Sequence, residues 1–278
     1  MNRRPVVILN DLRMSFPGQR GDAAVNVLDG ISLSVEQGEF VVLVGPSGCG
    51  KSTVLNILGG FQAATSGEVL VGGEPVRGPD PRRIFVFQEN AVFPWLNVEA
   101  NIGFGLQKLG RPERANIVAH YVEMVGLTGF ERAYPRELSG GMRQRVELAR
   151  ALAANPETIW MDEPFGALDY LTRLKMRADL VRIWQKERKT IVFVTHDIDE
   201  AVQLADRIVV LTPRPARIAA IVAVDLPRPR DMDSAGYLQA RDCIFAAMGN
   251  LGLARGTNGP ERGHGNEGRE SGREEHTG

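Results

Sequence analysis

Apolar positions run along this chain in two rhythms. Short continuous runs of apolar residues, Phe40-Val41-Val42-Leu43-Val44, Thr158-Ile159-Trp160-Met161, Thr190 to Val194 and Ile208 to Leu211, predict strands buried on both faces. Between them, apolar residues recur at helical spacing. A helix carrying Val54, Leu55, Ile57 and Leu58 stops at Gly59-Gly60, and a long amphipathic helix covers roughly 171–186. Strand–helix–strand alternation of this kind predicts an α/β fold with a largely parallel sheet and helices on its faces. The first 35 residues differ. Val6-Val7-Ile8 and Ile31 to Val35 alternate around the turn formers Pro17-Gly18 and Gly21-Asp22, and two further short strands are expected at Glu68 to Val71 and Ile84 to Phe87. The middle, about 95–155, reads as helical, punctuated by Gly110-Arg111-Pro112, Gly126 and Gly129. From Arg255 the chain is mostly Gly, Arg and Glu. So little of it is apolar that burial cannot offset ordering, and a disordered tail is expected over 251–278.

Composition narrows the function. There are 33 Lys+Arg and 34 Asp+Glu, a net charge of −1, so no basic excess points to nucleic acid. The 2 cysteines, Cys49 and Cys243, make neither a disulfide framework nor a cysteine metal site, which fits a reducing compartment. A membrane span needs roughly 20 mostly apolar residues, and every apolar run here is far shorter. The run Val6 to Leu9 is also too short for the core of a signal peptide. A cytosolic chain that reaches a membrane only by docking on another protein is expected.

The chemistry gathers where apolar strands end. Gly45-Pro46-Ser47-Gly48-Cys49-Gly50-Lys51-Ser52 fits the phosphate-loop pattern G-x-x-x-x-G-K-[ST], directly after one buried strand and before a helix. In such a loop the glycines let the backbone wrap oxygens, successive N–H groups and the helix N-terminus face an anion, Lys51 adds a point charge, and the Ser52 hydroxyl suits Mg²⁺. Cys49 reads as a small residue at a variable position rather than as a reactive thiol. A second strand ends in Asp162-Glu163, a carboxylate pair suited to holding Mg²⁺ through water (Asp162) and to accepting a proton from an attacking water (Glu163). A third ends in His196. Leu138-Ser139-Gly140-Gly141-Met142-Arg143-Gln144-Arg145 opens another helix, with Ser139 as N-cap and Gly140-Gly141 leaving the helix start bare: a second anion site. It lies so far along the chain from the first that the two grip one ATP only if they come from different subunits.

Taken together, these motifs resemble the ATP-binding subunits of ABC transporters. The resemblance covers essentially residues 5–250, as one nucleotide-binding domain (1–250) with an antiparallel β subdomain and an α-helical subdomain at about 95–155. It also includes Gln88 and Ala167-Leu168-Asp169. It implies that Phe16 stacks on adenine, that the loop from Gly45 through Pro46, Ser47, Gly48, Cys49, Gly50, Lys51 and Ser52 to Thr53 binds the phosphates, and that Ser52, Gln88 and Asp162 serve Mg²⁺. It further implies Glu163 as general base, His196 at the γ-phosphate, Gln88 as sensor of the ion and the water, and Ser139, Gly140 and Gly141 clamping the ATP of a second copy. Asp169 would sit at the interface of a head-to-tail homodimer enclosing two ATP molecules.

The stretch Ala91-Val92-Phe93-Pro94-Trp95-Leu96 implies docking of transmembrane permease subunits near Phe93 and Trp95. Together with Thr212-Pro213-Arg214-Pro215-Ala216-Arg217-Ile218, it is similar to importers of the nitrate, sulfonate and taurine group. Aliphatic sulfonate or taurine is the first expectation for cargo, then nitrate or bicarbonate. A periplasmic solute-binding protein would act indirectly, and the chain would lie on the cytoplasmic face of the inner membrane. A fused exporter, a soluble ABC ATPase acting on DNA or ribosomes, and an ordinary phosphotransferase are the rival readings. The missing span, the single cassette without a basic stripe, and the Ser139-Gly140-Gly141 turn, respectively, argue against them.

Overall fold

The computed structural model describes residues 4–18, 23–87 and 91–253, with side chains through 249. Two sheets share one core. The first is antiparallel, in the order β2-β1-β4-β5, built from β1 (Pro5–Phe16), β2 (Val25–Glu36), β4 (Ser66–Val71) and β5 (Glu74–Pro75). The second has the order β10-β9-β3-β8-β7-β6 and comprises β3 (Phe40–Val44), β6 (Arg83–Val86), β7 (Thr158–Asp162), β8 (Thr190–Thr195), β9 (Arg207–Leu211) and β10 (Ile218–Ala223). It is parallel except for β10, which returns antiparallel along its edge.

The period-2 alternation of the buried strands sorts their side chains between two cores. Val41 and Leu43 of β3, with Val192 and Val194 of β8, face the antiparallel sheet and α1 (Lys51–Gly59). Phe40, Val42 and Val44, with Ile191 and Phe193, face the remaining helices. These are α2 (Val98–Ile102), α3 (Arg111–Met124), α4 (Gly140–Ala153), α5 (Tyr170–Glu187), α6 (Ile198–Leu204) and α7 (Ala235–Leu253). Because both faces are covered, β3 is buried along its whole length, as its unbroken apolar run requires.

The fold departs from the expected elements at three places. β1 and β2 are longer than their apolar cores: β1 continues through the polar Asn10-Asp11 by a register break between Leu9 and Leu12, where Asp11 takes φ 46. β10 is an exposed-edge strand with alternating burial. α7 is an addition to the expected elements, since its hydrophobic positions show little helical periodicity. Its Tyr237 and Ile244 nevertheless close the second core, and the Tyr237 hydroxyl donates to the Asp199 backbone carbonyl at 3.1 Å. Residues 254–278, where a disordered tail is expected, lie outside the described residues.

Sheet register places the chemistry. Val44 pairs with Thr195, and Asp162 with Val194. The loops that leave β3, β7 and β8 therefore start from one edge, the carboxyl end of the parallel strands, where open α/β sheets bind ligands.

Candidate nucleotide site

At that edge lies a cleft of about 730 Å³, lined on one side by Ser47, Gly48, Gly50, Lys51, Ser52 and Thr53. Phe16, Val25 and Val27 of the antiparallel sheet line the other side, with Glu163 and Arg214 also at its wall. The loop between β3 and α1 needs glycine twice. Gly48 has φ 72, and Gly50 has φ 121 and would press a Cβ to 2.9 Å from Val27 and Leu28. The N-cap of α1 is Gly50, with no side-chain cap, so the first amides of this helix are left for a ligand. Lys51 is buried and its Nζ donates to the carbonyls of Gly45 (2.9 Å) and Pro46 (3.1 Å). Cys49 is 1% exposed and points into the core, and burial pushes its thiol up from the ordinary value, holding it protonated. Its backbone N–H donates to Pro46 O at 3.3 Å. The reading of Cys49 as a small packing residue agrees with this placement.

Asp162, the last residue of β7, is hydrogen-bonded with Ser52 of α1. Burial pushes its carboxyl up. The hydrogen bond from Ser52 and the charge of Lys51 oppose that rise, and the neighbouring Glu163 adds to it. A desolvated carboxylate and a hydroxyl facing one another beside a phosphate loop suit a hard cation. Among the described residues no group of three or more His, Cys, Asp or Glu could hold a metal ion by itself.

Glu163 adopts φ 44, its amide donating to Val194 O at 3.0 Å. This left-handed turn swings its side chain out of the sheet direction toward the cleft. His196, directly after β8, brings Nδ1 to 2.9 Å from Glu163 Oε2. A carboxylate only accepts, so the contact selects the Nδ1–H tautomer. The Glu163 side chain is 19% exposed and that of His196 62%: the pair stands at the surface of the cleft, open on the histidine side.

The turn expected as a second anion site lies elsewhere. Ser139 caps α4, its Oγ accepting from Met142 N at 3.2 Å. Arg143 Nη1 donates to Leu138 O at 2.6 Å. A Cβ at Gly141 would come within 2.7 Å of the Thr172 methyl, so a larger residue there would force that side chain of α5 to shift. Asp169 caps α5 by accepting from Thr172 N at 3.1 Å. Ser139, Gly140, Gly141 and Asp169 do not line the cleft that holds Lys51. Gln88 lies outside the described residues.

A second surface feature is aromatic. Phe61, Phe85, Phe87, Phe93 and Phe104 surround a groove of about 280 Å³ between the parallel sheet and α4. Trp95 is 69% exposed and stacks on Phe93 at 5.4 Å, and Arg150 lies 4.7 Å over Phe93. Glu147 forms part of this wall, almost wholly buried. Burial raises its carboxyl to about 7, although the charge of Arg150 and the backbone amides of Ala91 and Phe87 oppose the rise. No helix among the described residues is long and apolar enough to cross a membrane.

Fold and cleft define a phosphate-loop nucleotide-binding cassette with a helical insertion. The profile of the ABC transporter family matches residues 28–166. An uncharacterised ABC transporter ATP-binding protein of Methanocaldococcus jannaschii is 52% identical over 232 residues, 83% of this chain and 85% of the relative. The aliphatic sulfonates import ATP-binding protein of Bacillus cereus (strain ZK / E33L) is 43% identical over 247 residues, 89% of this chain and 97% of the relative. Among solved structures, the dimeric bacterial ABC transporter cassette MJ0796 superposes with a TM-score of 0.67 at 32% identity. Its post-hydrolysis state bound to ADP and Pi superposes with a TM-score of 0.66 at 30% identity. Each of these two covers 80% of this chain and 100% of the solved chain. The chain belongs to the ABC transporter family, and it is an ATP-binding, ATP-hydrolysing cassette of a transporter.

Several residues of the cleft, Val25, Val27 and Arg214 among them, are absent from the site residues that the sequence suggests, and Arg214 is the charged one. Arg214 belongs to the Thr212–Ile218 stretch, which the sequence marks only by its likeness to a group of importers. Nothing in local spacing reveals that this turn folds back on the phosphate loop.

Proposed function

We propose that this chain is the ATP-hydrolysing subunit of an importer for small anionic solutes, aliphatic sulfonates or taurine first among them. The observation that carries this reading is the 43% identity to the sulfonate-import relative along 97% of that protein. In this reading the cassette sits peripherally on the cytoplasmic face of the inner membrane. Permease subunits dock in the phenylalanine groove beside Phe93 and Trp95, where exposed aromatics supply the anchors. A periplasmic receptor then selects the cargo without touching this chain.

ATP enters the cleft with adenine against Phe16 and its phosphates on the Gly45–Thr53 loop, gripped by the open amides of α1 and by Lys51. Ser52 and Asp162 would hold Mg²⁺, which neutralises charge on the phosphates. Glu163 takes the proton from a water whose oxygen attacks the γ-phosphorus; the bond from phosphorus to the bridging oxygen breaks and ADP carries that oxygen away. His196, held by Glu163, meets the γ-phosphate. A second copy, arranged head to tail, brings its Ser139–Gly141 turn onto the same phosphate, with Asp169 at the seam. In this reading the nucleotide-binding unit spans 1–250, with a helical subdomain at about 95–155.

The test is reconstitution. Membrane subunits co-expressed with this chain and assembled with it in vesicles are expected to take up labelled taurine or alkanesulfonate when ATP is supplied. ATP-dependent uptake of nitrate or bicarbonate alone would overturn the cargo. A complex that exports, or a chain that assembles with no membrane protein, would overturn the importer.

A further inference from the structure

The turn between β9 and β10 is fastened to both sheets. Thr212 closes it: its amide donates to Arg217 O at 2.9 Å, and its hydroxyl both accepts from Arg217 N (2.9 Å) and donates to Pro215 O (3.2 Å). Ala216, fully buried, then joins β2 of the other sheet. It donates to Val27 O at 2.8 Å and accepts from Asp29 N at 2.9 Å. Asp29 in turn pairs with Arg217 and Arg13. The turn is thus a rigid bridge across the base of the nucleotide cleft, because Val25 and Val27 of that same β2 line it.

At the apex of the bridge stands Arg214. Both its Nε (2.9 Å) and Nη2 (2.6 Å) donate to the carbonyl of Gly48. Gly48 is in the left-handed region, and a Cβ there would lie 3.2 Å from Nη2. The peptide between Gly48 and Cys49 is therefore held at both ends, its carbonyl by Arg214 and its N–H by Pro46 O. A charged fork on one oxygen is a strong, directional contact. It reaches across 166 positions of sequence to the middle of the phosphate loop.

We propose that Arg214 is a positioning residue of the nucleotide site, pinning the Gly48 peptide so that the phosphate loop is shaped before ATP arrives and adding positive charge at the wall where the polyphosphate lies. The inference rests on ATP occupying this cleft. A loop ordered in advance loses less entropy on binding, so affinity is where the effect falls. This also gives a physical role to the Thr212–Ile218 stretch, which nothing in the hydrolysis chemistry uses.

The test measures the Kd of a fluorescent ATP analogue for the full chain at two salt concentrations, with melting temperature followed in parallel. Arg214→Ala is expected to weaken binding about tenfold, equivalent to about 1.4 kcal/mol, and to flatten the salt dependence. Arg214→Lys, which keeps the charge but not the fork, should recover part of the affinity and the salt slope. Arg217→Ala breaks the pair with Asp29 without touching the loop, and should change Kd less than twofold while lowering the melting temperature. If Arg214→Ala binds the analogue within twofold of wild type, or if it merely melts earlier as Arg217→Ala does, the clamp is overturned. Should Arg214→Ala not fold, Arg214→Lys decides: wild-type affinity and salt slope in that variant overturn the fork. A wild-type chain that binds no analogue overturns the clamp together with the reading of the cleft, whereas the other failures leave that reading standing.

Discussion

Helices α1 and α4 both begin in glycine-rich turns, yet the glycines serve different ends. Ahead of α1, Gly48 and Gly50 are required by backbone conformation, and no side chain caps the helix. Its amides and Lys51 face a cleft that already contains aromatic, cationic and acidic walls. Ahead of α4, Ser139 satisfies one amide of its own helix, and Gly141 is small because Thr172 stands 2.7 Å from where its Cβ would be. One helix start is furnished by its own chain for a ligand. The other is capped by its own serine and lies off that cleft; in the proposed reading it is a half-site completed by the ATP of a second copy. The same glycine-rich helix start therefore stands in two different settings, and the proposed function gives each a different completion.

The largest effects should separate these two halves. Glu163→Gln removes the general base from the furnished half, and steady-state ATP hydrolysis is expected to fall about 10²–10⁴-fold while binding of a fluorescent ATP analogue persists. Hydrolysis near the wild-type rate would break the assignment of Glu163. Ser139→Arg strikes the other half, putting a bulky cation where a second copy's phosphate would meet α4. Turnover should drop at least tenfold, with nucleotide affinity of the isolated chain preserved, because Ser139 does not line that chain's own cleft. A Ser139→Arg chain that no longer binds ATP would show that both helix starts serve one site in one chain, and the comparison would fail.

Much of the furnished half is legible in the amino-acid sequence because the strands are so regular. Phe40–Val44, Thr158–Asp162 and Thr190–Thr195 each end in chemistry, and unbroken apolar runs fix where they end. Once the strands are parallel neighbours, Lys51, Glu163 and His196 must share an edge. Contacts that cross between sheets leave no such trace. The 2.9 Å approach of His196 to Glu163 needs the positive φ of Glu163, which no residue preference announces. Arg214 reaches Gly48 only because Ala216 is sewn to β2. Helix α7 escapes a reading by periodicity because its apolar residues do not repeat along one face. β1 reads as short because Asn10-Asp11 interrupts its pattern, where the chain in fact bulges and resumes.

The smallest effect tests what α4 gives up on its inner side. Its outer end is capped and satisfied, whereas Glu147, two turns along, is buried against the phenylalanine groove, where the charge of Arg150 and the amides of Ala91 and Phe87 only partly offset its burial. Burial penalises the charged form by more than Arg150 and the two amides recover, which is why its carboxyl rises from the ordinary 4.5 to about 7. The direction follows by linkage. A raised carboxyl binds its proton more tightly when folded, so its contribution to stability is complete below about pH 4.5 and is lost as pH rises through about 7. Glu147→Gln should therefore raise the melting temperature at pH 8, by up to about 3 kcal/mol of stability, and the advantage should shrink as pH falls to 5. Asp162, Glu200 and Glu39, whose carboxyls burial also raises, titrate in both chains and so cancel in the difference between them. Differential melting of the two chains across that range checks it. A gap that is absent at pH 8, or unchanged at pH 5, would mean that Glu147 is satisfied where it sits, and that the two ends of α4 are equally at rest.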